Sequence, residues 1–186
     1  LRPGRRAVAG PDLVAFHRRI AIVSGDKPDV MIVRDAIFPQ DRDQLLAIWR
    51  EFVASPRVSL AFQNNEAEFA TLPGKYAMPH GRILLAEQDH RIVGCVAYRP
   101  IDATICEMKR LYVRPSARGL GLGRILIHRL IGAARSAGYR EMRLDVLAEF
   151  TAAQRLYADF GFTPADPVSD NPLPGTRFLG LRLDQS

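Results

Sequence analysis

"KRLYVRPSARGLGLGRILIHRLI", residues 109–131, begins as a strand and ends as a helix. Between the two lie Gly119, Gly121 and Gly123 at every second position, flanked by Arg118 and Arg124. A strand that turns through glycines into a helix start is an anion cradle. Its backbone N–H groups converge, and the helix dipole adds about 0.3–1 kcal/mol per anionic group. Glycine lets the backbone approach the anion with no Cβ in the way. A Walker A loop would need Gly-Lys-Ser/Thr at the helix start, but Arg124 and Ile125 follow Gly123. A dinucleotide fingerprint would need glycine at Leu126 or at Arg124. What remains is Arg118-x-x-Gly121-x-Gly123, a loop for a diphosphate. The alternative is a strand–helix turn with no ligand, for which glycine alone would serve.

Working outward, residues 121–138 read as a helix with Leu122, Leu126, Leu130, Ala133 and Ala137 on one face and Gly138 as its stop. "EMRLDVL" follows as a strand, "TAAQRLYADF" as a helix, "GFTPA" as the start of a strand and "TRFLGLRL" as the last strand. Upstream, "RILLAEQ" and "RIVGCVAYRP" flank the turn "DH" as a hairpin, and "TICEMKRLYV" is the next strand. "PQDRDQLLAIWREFVAS" reads as a helix carrying Leu45, Ile48, Trp49 and Phe52, and "NNEAEFATL" as a shorter one before the loop "PGKYAMPHG". These elements predict an α/β (α+β) domain with a mainly antiparallel front and a β-α-β-α-β back half.

Residues 1–30 differ. They hold six Lys and Arg against three Asp, half of the chain's net charge of +6. "PDLVAFHRRIAIV" reads as a short helix and "SGDKPD" as a linker, so the expectation is a basic extension over 1–30 and a domain over 31–186. At 186 residues, with 47% apolar and 25% charged, one soluble globular domain is expected. No run of about 18 apolar residues occurs, so no membrane partner and a cytoplasmic location are expected. Cys95 and Cys106 lack metal or CxxC spacing and read as buried free thiols of a reducing compartment. His17, His80, His90 and His128 are scattered without ligand spacing, so no metal is proposed. No basic stripe interleaved with aromatics appears, so no nucleic-acid partner is expected, although a nucleic-acid role for the basic arm is one alternative.

"RLYVRPSARGLGLGRIL" resembles motif A of the GNAT acyltransferase superfamily, whose Gln/Arg-x-x-Gly-x-Gly/Ala loop holds the pyrophosphate of acetyl-CoA. "LYADFGF", Leu156 to Phe162, resembles that family's motif B. The two motifs stand in the family's order, about 35 residues apart. The match covers Arg82 to Phe162 well, Met31 to Gly81 loosely and residues 1–30 not at all. The resemblance implies a mixed, mainly antiparallel sheet whose central strands splay, flanked by helices. The pantetheine arm of acetyl-CoA, the co-substrate, would enter the gap. It would pair with Leu111, Tyr112 and Val113, and Pro115, lacking an N–H, would end the ladder. The diphosphate would lie on Arg118, Gly119, Leu120, Gly121, Leu122, Gly123 and Arg124.

By the same resemblance Glu107, eleven residues before Arg118, stands where histone acetyltransferases of the superfamily carry their catalytic base. Burial in an apolar strand would suit it to take a proton, directly or through water. The alternative is a structural partner for Lys109 or Arg110. Tyr157, the motif B tyrosine, is the candidate acid for the leaving thiolate, because a phenol is protonated at neutral pH. The alternative is a core tyrosine beside Leu156 and Phe160. The Leu111 N–H is the candidate oxyanion donor. One departure stands out: where many members carry Asn seven residues before the tyrosine, this chain has Phe150, followed by Thr151. On the acceptor side Lys75, Tyr76, Arg110 and Arg177 are candidates for meeting an anionic group, and Asp145 reads as a strand-end carboxylate.

The implied function is acetyl-CoA-dependent N-acetyl transfer to a primary amine of a small molecule by direct attack in a ternary complex. A protein N-terminus or lysine acetyltransferase and a non-catalytic acyl-CoA-binding module are the alternatives. A homodimer is a further expectation, since dimers are common in the family.

Overall fold

The computed structural model describes residues 18–24, 27–56, 65–168, 171 and 173–184, with side chains from Met31 onward. Strand β5 (Ile105–Val113), which leads into the glycine turn, lies near the middle of an eight-stranded sheet of order β1-β2-β3-β4-β5-β6-β8-β7. The other strands are β1 (Arg18–Ser24), β2 (Lys27–Asp35), β3 (Arg82–Gln88), β4 (Arg91–Pro100), β6 (Glu141–Val146), β7 (Thr163–Pro164) and β8 (Arg177–Arg182). All neighbours pair antiparallel except β5 and β6, which are parallel. The mixed α/β architecture is the one expected.

The β3–β4 hairpin turns on Asp89 and His90, both in the left-handed region at φ 48° and 62°. A two-residue loop of that hand matches the right-handed twist of the strands it joins. Helix α1 (Arg42–Ala54) and the short α2 (Asn65–Ala70) cover one face of the sheet. Their Leu45, Ile48, Trp49 and Phe69 pack with Leu85, Ile92 and Ala97. Helix α3 (Leu122–Ser136) covers the other face, where Leu122, Leu126, Ile127, Leu130 and Ala134 meet Val96, Met108, Met142 and Leu144. Tyr157 of α4 (Thr151–Asp159) joins the same cluster. Burying such a Leu or Ile side chain contributes about 1.5–3 kcal/mol, so the α3 stripe holds the glycine turn against the sheet.

Three expectations are corrected, and one strand is shorter than expected. The helix over "PDLVAFHRRIAIV" is a strand from Arg18, because its alternating residues pair with β2 along seven positions; residues 11–17 lie outside the described ones. "SGDKPD" is no linker: β1 runs to Ser24 and β2 starts at Lys27. Met31 therefore falls inside β2, although the β2–β3 ladder begins there, opposite Gln88. On α3 the buried face turns to Ala134 while Ala137 is exposed, since a 3.6-residue period does not track the sheet in steps of four indefinitely. The strand at "GFTPA" is only two residues long.

Cys95 and Cys106 are buried free thiols, and burial pushes both up to about 12. Among the described residues no helix is long and apolar enough to cross a membrane.

Candidate active site

β5 and β6 pair over three positions, Ile105–Glu141, Cys106–Met142 and Glu107–Arg143, and then part. Beyond that point a cavity of about 660 Å³ opens between them, with α3 and α4 beneath and α1 at its rim. It is lined by Met108 to Val113, by Arg118, Gly119 and Gly121 to Arg124 of the turn but not Leu120, and by Asp145, Phe150, Thr151 and Tyr157. Splaying leaves the β5 edge from Met108 onward without a strand partner on that side among the described residues. A buried edge of that kind needs another donor and acceptor to pair with.

A bulge shapes the same stretch. Cys95 opposes Tyr112 and Ala97 opposes Lys109, so Arg110 and Leu111 together face the single residue Val96. Arg110 takes φ +62°, rare for a residue with a Cβ. Its side chain is what holds it there. The guanidinium lies 5.3–5.7 Å from the ring centres of Trp49, Phe52 and Phe69. It also donates to Glu68 Oε1 and Asn65 Oδ1, both at 2.7 Å. The bulge takes Leu111 out of register with β4, which frees the strand to aim backbone groups into the gap.

In the glycine turn each glycine has its own reason. Gly119 and Gly121 sit at φ +82° and +73°, and a Cβ at either would point into open space. Backbone hand, not crowding, requires glycine there. At Gly123 a Cβ would stand 3.2 Å from Leu156 Cδ2 of α4, a tight contact from which the leucine would have to give by a few tenths of an ångström. Gly121 is the N-cap of α3 and supplies no side-chain cap; the first helical bond runs from Ile125 N–H to Gly121 O. The N–H groups of Leu122, Gly123 and Arg124 are thus left at the cavity floor. The two flanking arginines are turned elsewhere. Arg118 Nε donates to Val113 O at 3.0 Å with its guanidinium over Tyr112, and Arg124 pairs with Asp159 of α4. These residues suit the diphosphate and pantetheine of acetyl-CoA, with the uncapped helix start and the open strand edge on adjoining walls.

Glu107 is wholly buried and is not among the residues lining the cavity. Arg99 Nε donates to its Oε2 at 2.8 Å, and Lys109 Nζ stands 3.2 Å from Oε1. Lys109 passes on to Asp145 Oδ1 at 3.1 Å, whose Oδ2 accepts from Asn171 at 2.6 Å. An ordered chain of charge therefore runs from Glu107 through Lys109 to Asp145 at the cavity wall. Burial alone would raise the Asp145 carboxyl, but the Lys109 ammonium and the hydrogen bonds from Asn171 and Lys109 outweigh it and hold the group below its ordinary value.

Tyr157 lines the cavity from α4, its ring against Phe162 at 5.6 Å. Its hydroxyl makes no hydrogen bond to the described residues. Burial, and then the Asp145 carboxylate, push the phenol well above its ordinary value, so it stays protonated and able to donate. Phe150 is the N-cap of α4, and its ring centre lies 6.4 Å from that of Phe52.

The acceptor-side candidates need correction. Tyr76 and Arg110 are buried rather than surface groups: the Tyr76 hydroxyl donates to Glu68 at 3.1 Å, and Arg110 is the cation inside the aromatic cluster. Arg177 donates to Gln154 on α4. Lys75 is exposed. Sequence reasoning passed over Lys109 and Phe52 as site residues. The strand period placed Lys109 on Glu107's face, but which distant carboxylate it would reach was not readable.

Three comparisons bear on this site. A family model described as the acetyltransferase (GNAT) family matches residues 45–162. An uncharacterised N-acetyltransferase of Schizosaccharomyces pombe is 38% identical over 161 residues, spanning 86% of this chain and 99% of the relative. Among solved structures, a GNAT-family acetyltransferase of Staphylococcus aureus superposes with a TM-score of 0.70 at 18% identity, over 83% of this chain and 99% of its own. The protein yncA of Salmonella typhimurium, solved with its cofactor acetyl-CoA, does so with a TM-score of 0.61 at 25% identity, over 84% and 95%.

Proposed function

Since the chain belongs to the GNAT family of acetyl-CoA-dependent N-acetyltransferases, we propose that it acetylates a primary amine of a small molecule by direct attack within a ternary complex. The observation that carries this reading is the single cavity that joins an uncapped helix start, an unpaired strand edge and a protonated tyrosine.

Acetyl-CoA supplies an activated thioester. The chain's residues do the rest. The N–H groups of Leu122, Gly123 and Arg124 hold the diphosphate, and the edge from Leu111 to Val113 pairs with the pantetheine arm. The Leu111 N–H, freed from the β4 register, donates to the carbonyl oxygen as it gains charge. The amine nitrogen forms its bond to the carbonyl carbon, the C–S bond breaks, and the thiolate takes the Tyr157 proton. The one proton lost by the amine goes to Lys109 Nζ, which lines the cavity, as Lys109 hands a proton of its own to Glu107 Oε1, 3.2 Å away.

Purified protein given acetyl-CoA and a panel of amines, with free thiol as the readout, tests this reading. Thiol release with a free small amine, and none with peptides alone, is the expected result. Tight acetyl-CoA binding with no release for any amine would leave a non-catalytic binding module.

A further inference from the structure

Three aromatic rings from three separate elements meet at the rim of the cavity. Phe52 comes from α1, Tyr112 from β5 and Phe150 from the start of α4. Phe52 stands edge-on to Tyr112 at 6.2 Å and 70°, and tilted to Phe150 at 6.4 Å and 41°. All three are only partly buried and all three line the cavity. Rings left partly open against one another retain apolar surface that a further ring would cover.

Phe150 also carries a cost. It occupies the N-cap of α4, where it makes no side-chain cap. Ser, Asp or Asn there would add about 1 kcal/mol to the helix. The chain forgoes that cap and presents a ring.

The rings are backed by cations. The Arg110 guanidinium lies over Phe52 and that of Arg118 over Tyr112, at 5.7 and 5.8 Å. A ring face already held by a cation is a poor host for a second cation, but its polarised edge and open face suit another aromatic ring. A substrate ammonium is therefore directed away from the rings. Two carboxylates line the cavity: Glu149 is exposed next to Phe150, and Asp145, its side chain only 9% exposed, is the shielded one beside Lys109.

Resting on the acetyltransferase reading above, we propose that the acceptor is a primary amine carried on an aromatic body, its ring in the slot formed by Phe52, Tyr112 and Phe150 and its nitrogen directed to Asp145. Phe150 is then the residue that sets acceptor selectivity.

The test compares 2-phenylethylamine with butylamine as acceptors, by thiol release, in the wild type and in Phe150→Leu. The leucine keeps apolar volume and removes the ring, and its melting curve checks the fold. The readout is the ratio of kcat/KM for the two amines. It should exceed about tenfold in the wild type, the scale of a well-filled apolar contact, and collapse toward unity in Phe150→Leu. A wild-type ratio near one, or a ratio unchanged by the substitution, overturns the proposal. So does a loss of acetyl-CoA affinity with the ratio intact, which would assign the ring to the donor. Calorimetry of 2-phenylethylamine with the CoA-loaded protein separates the two readings. Binding that Phe150→Leu weakens, without turnover, would keep the slot and sink the activity; neither binding nor turnover would overturn both.

Discussion

Lys109 on β5 and Asp145 on β6 meet at 3.1 Å, two residues beyond the last backbone rung between their strands, Glu107–Arg143. Where the ladder stops, a side-chain ion pair bridges the parting strands. The pair is mostly shielded, with side chains 11% and 9% exposed. It therefore escapes most of the screening that weakens surface pairs.

Asp145→Asn should cost about 2 kcal/mol at neutral pH, the scale of a hydrogen bond to a charged group. The folded carboxyl lies below its ordinary 3.8. Its stabilisation is thus complete above that value and is lost as pH falls through the lower folded value. Urea melts of wild type and variant should differ at about pH 7 and converge on acidification. A gap that persists in acid would mean that the carboxylate's charge is not what stabilises.

Gly121→Ala and Gly121→Asp should differ. Alanine at φ +73° has room for its Cβ but strains the backbone, at a cost of about 1–2 kcal/mol. Acetyl-CoA affinity should survive in part. Aspartate adds a negative charge where the diphosphate lies and should abolish binding. Unchanged affinity of Gly121→Asp by calorimetry would remove the turn from the donor site.

Tyr157→Phe removes a hydroxyl that makes no hydrogen bond to the described residues, so thermal stability should hardly change. kcat should fall about 100-fold or more, within the range of general acid–base catalysis, with acetyl-CoA affinity near that of wild type. A full-rate variant would show that another group protonates the thiolate.

Glu107→Gln separates two roles. Arg99 and Lys109 lose their shared anion, so the variant should melt earlier whatever the chemistry. If Glu107 is the base, the rate loss is largest near neutral pH and shrinks as pH approaches the amine's own pKa, where the acceptor is already neutral. A rate loss of the same size at every pH would leave Glu107 as the anchor of Lys109 alone.

A chain beginning at Met31 keeps the β2–β3 ladder, which starts at Met31–Gln88, and loses β1. It should melt cooperatively and bind acetyl-CoA, while its newly bared edge strand raises its tendency to aggregate. Non-cooperative melting would make residues 1–30 part of the folding unit.

What the sequence determined by itself is what local pattern encodes. The alternation in "RILLAEQ" and "RIVGCVAYRP", the helical stripe after Gly121 and the spacing of Arg118, Gly121 and Gly123 each act within a few residues. The hairpin, α3 and the glycine turn between strand and helix were legible for that reason. The stretch at Arg18–Ser24 was misread because its strand exists only by pairing with β2, a partner that no local pattern announces. Tertiary structure alone decided the rest. Arg110 became a buried cation because Trp49, Phe52 and Phe69, more than forty residues away in sequence, close around it, and charge on a strand says nothing of such a cage. Glu107 was placed behind Lys109, and Asp145 at the cavity wall, by the point where two parallel strands separate. That point is set by packing on both faces of the sheet at once, and no single segment of the chain carries it.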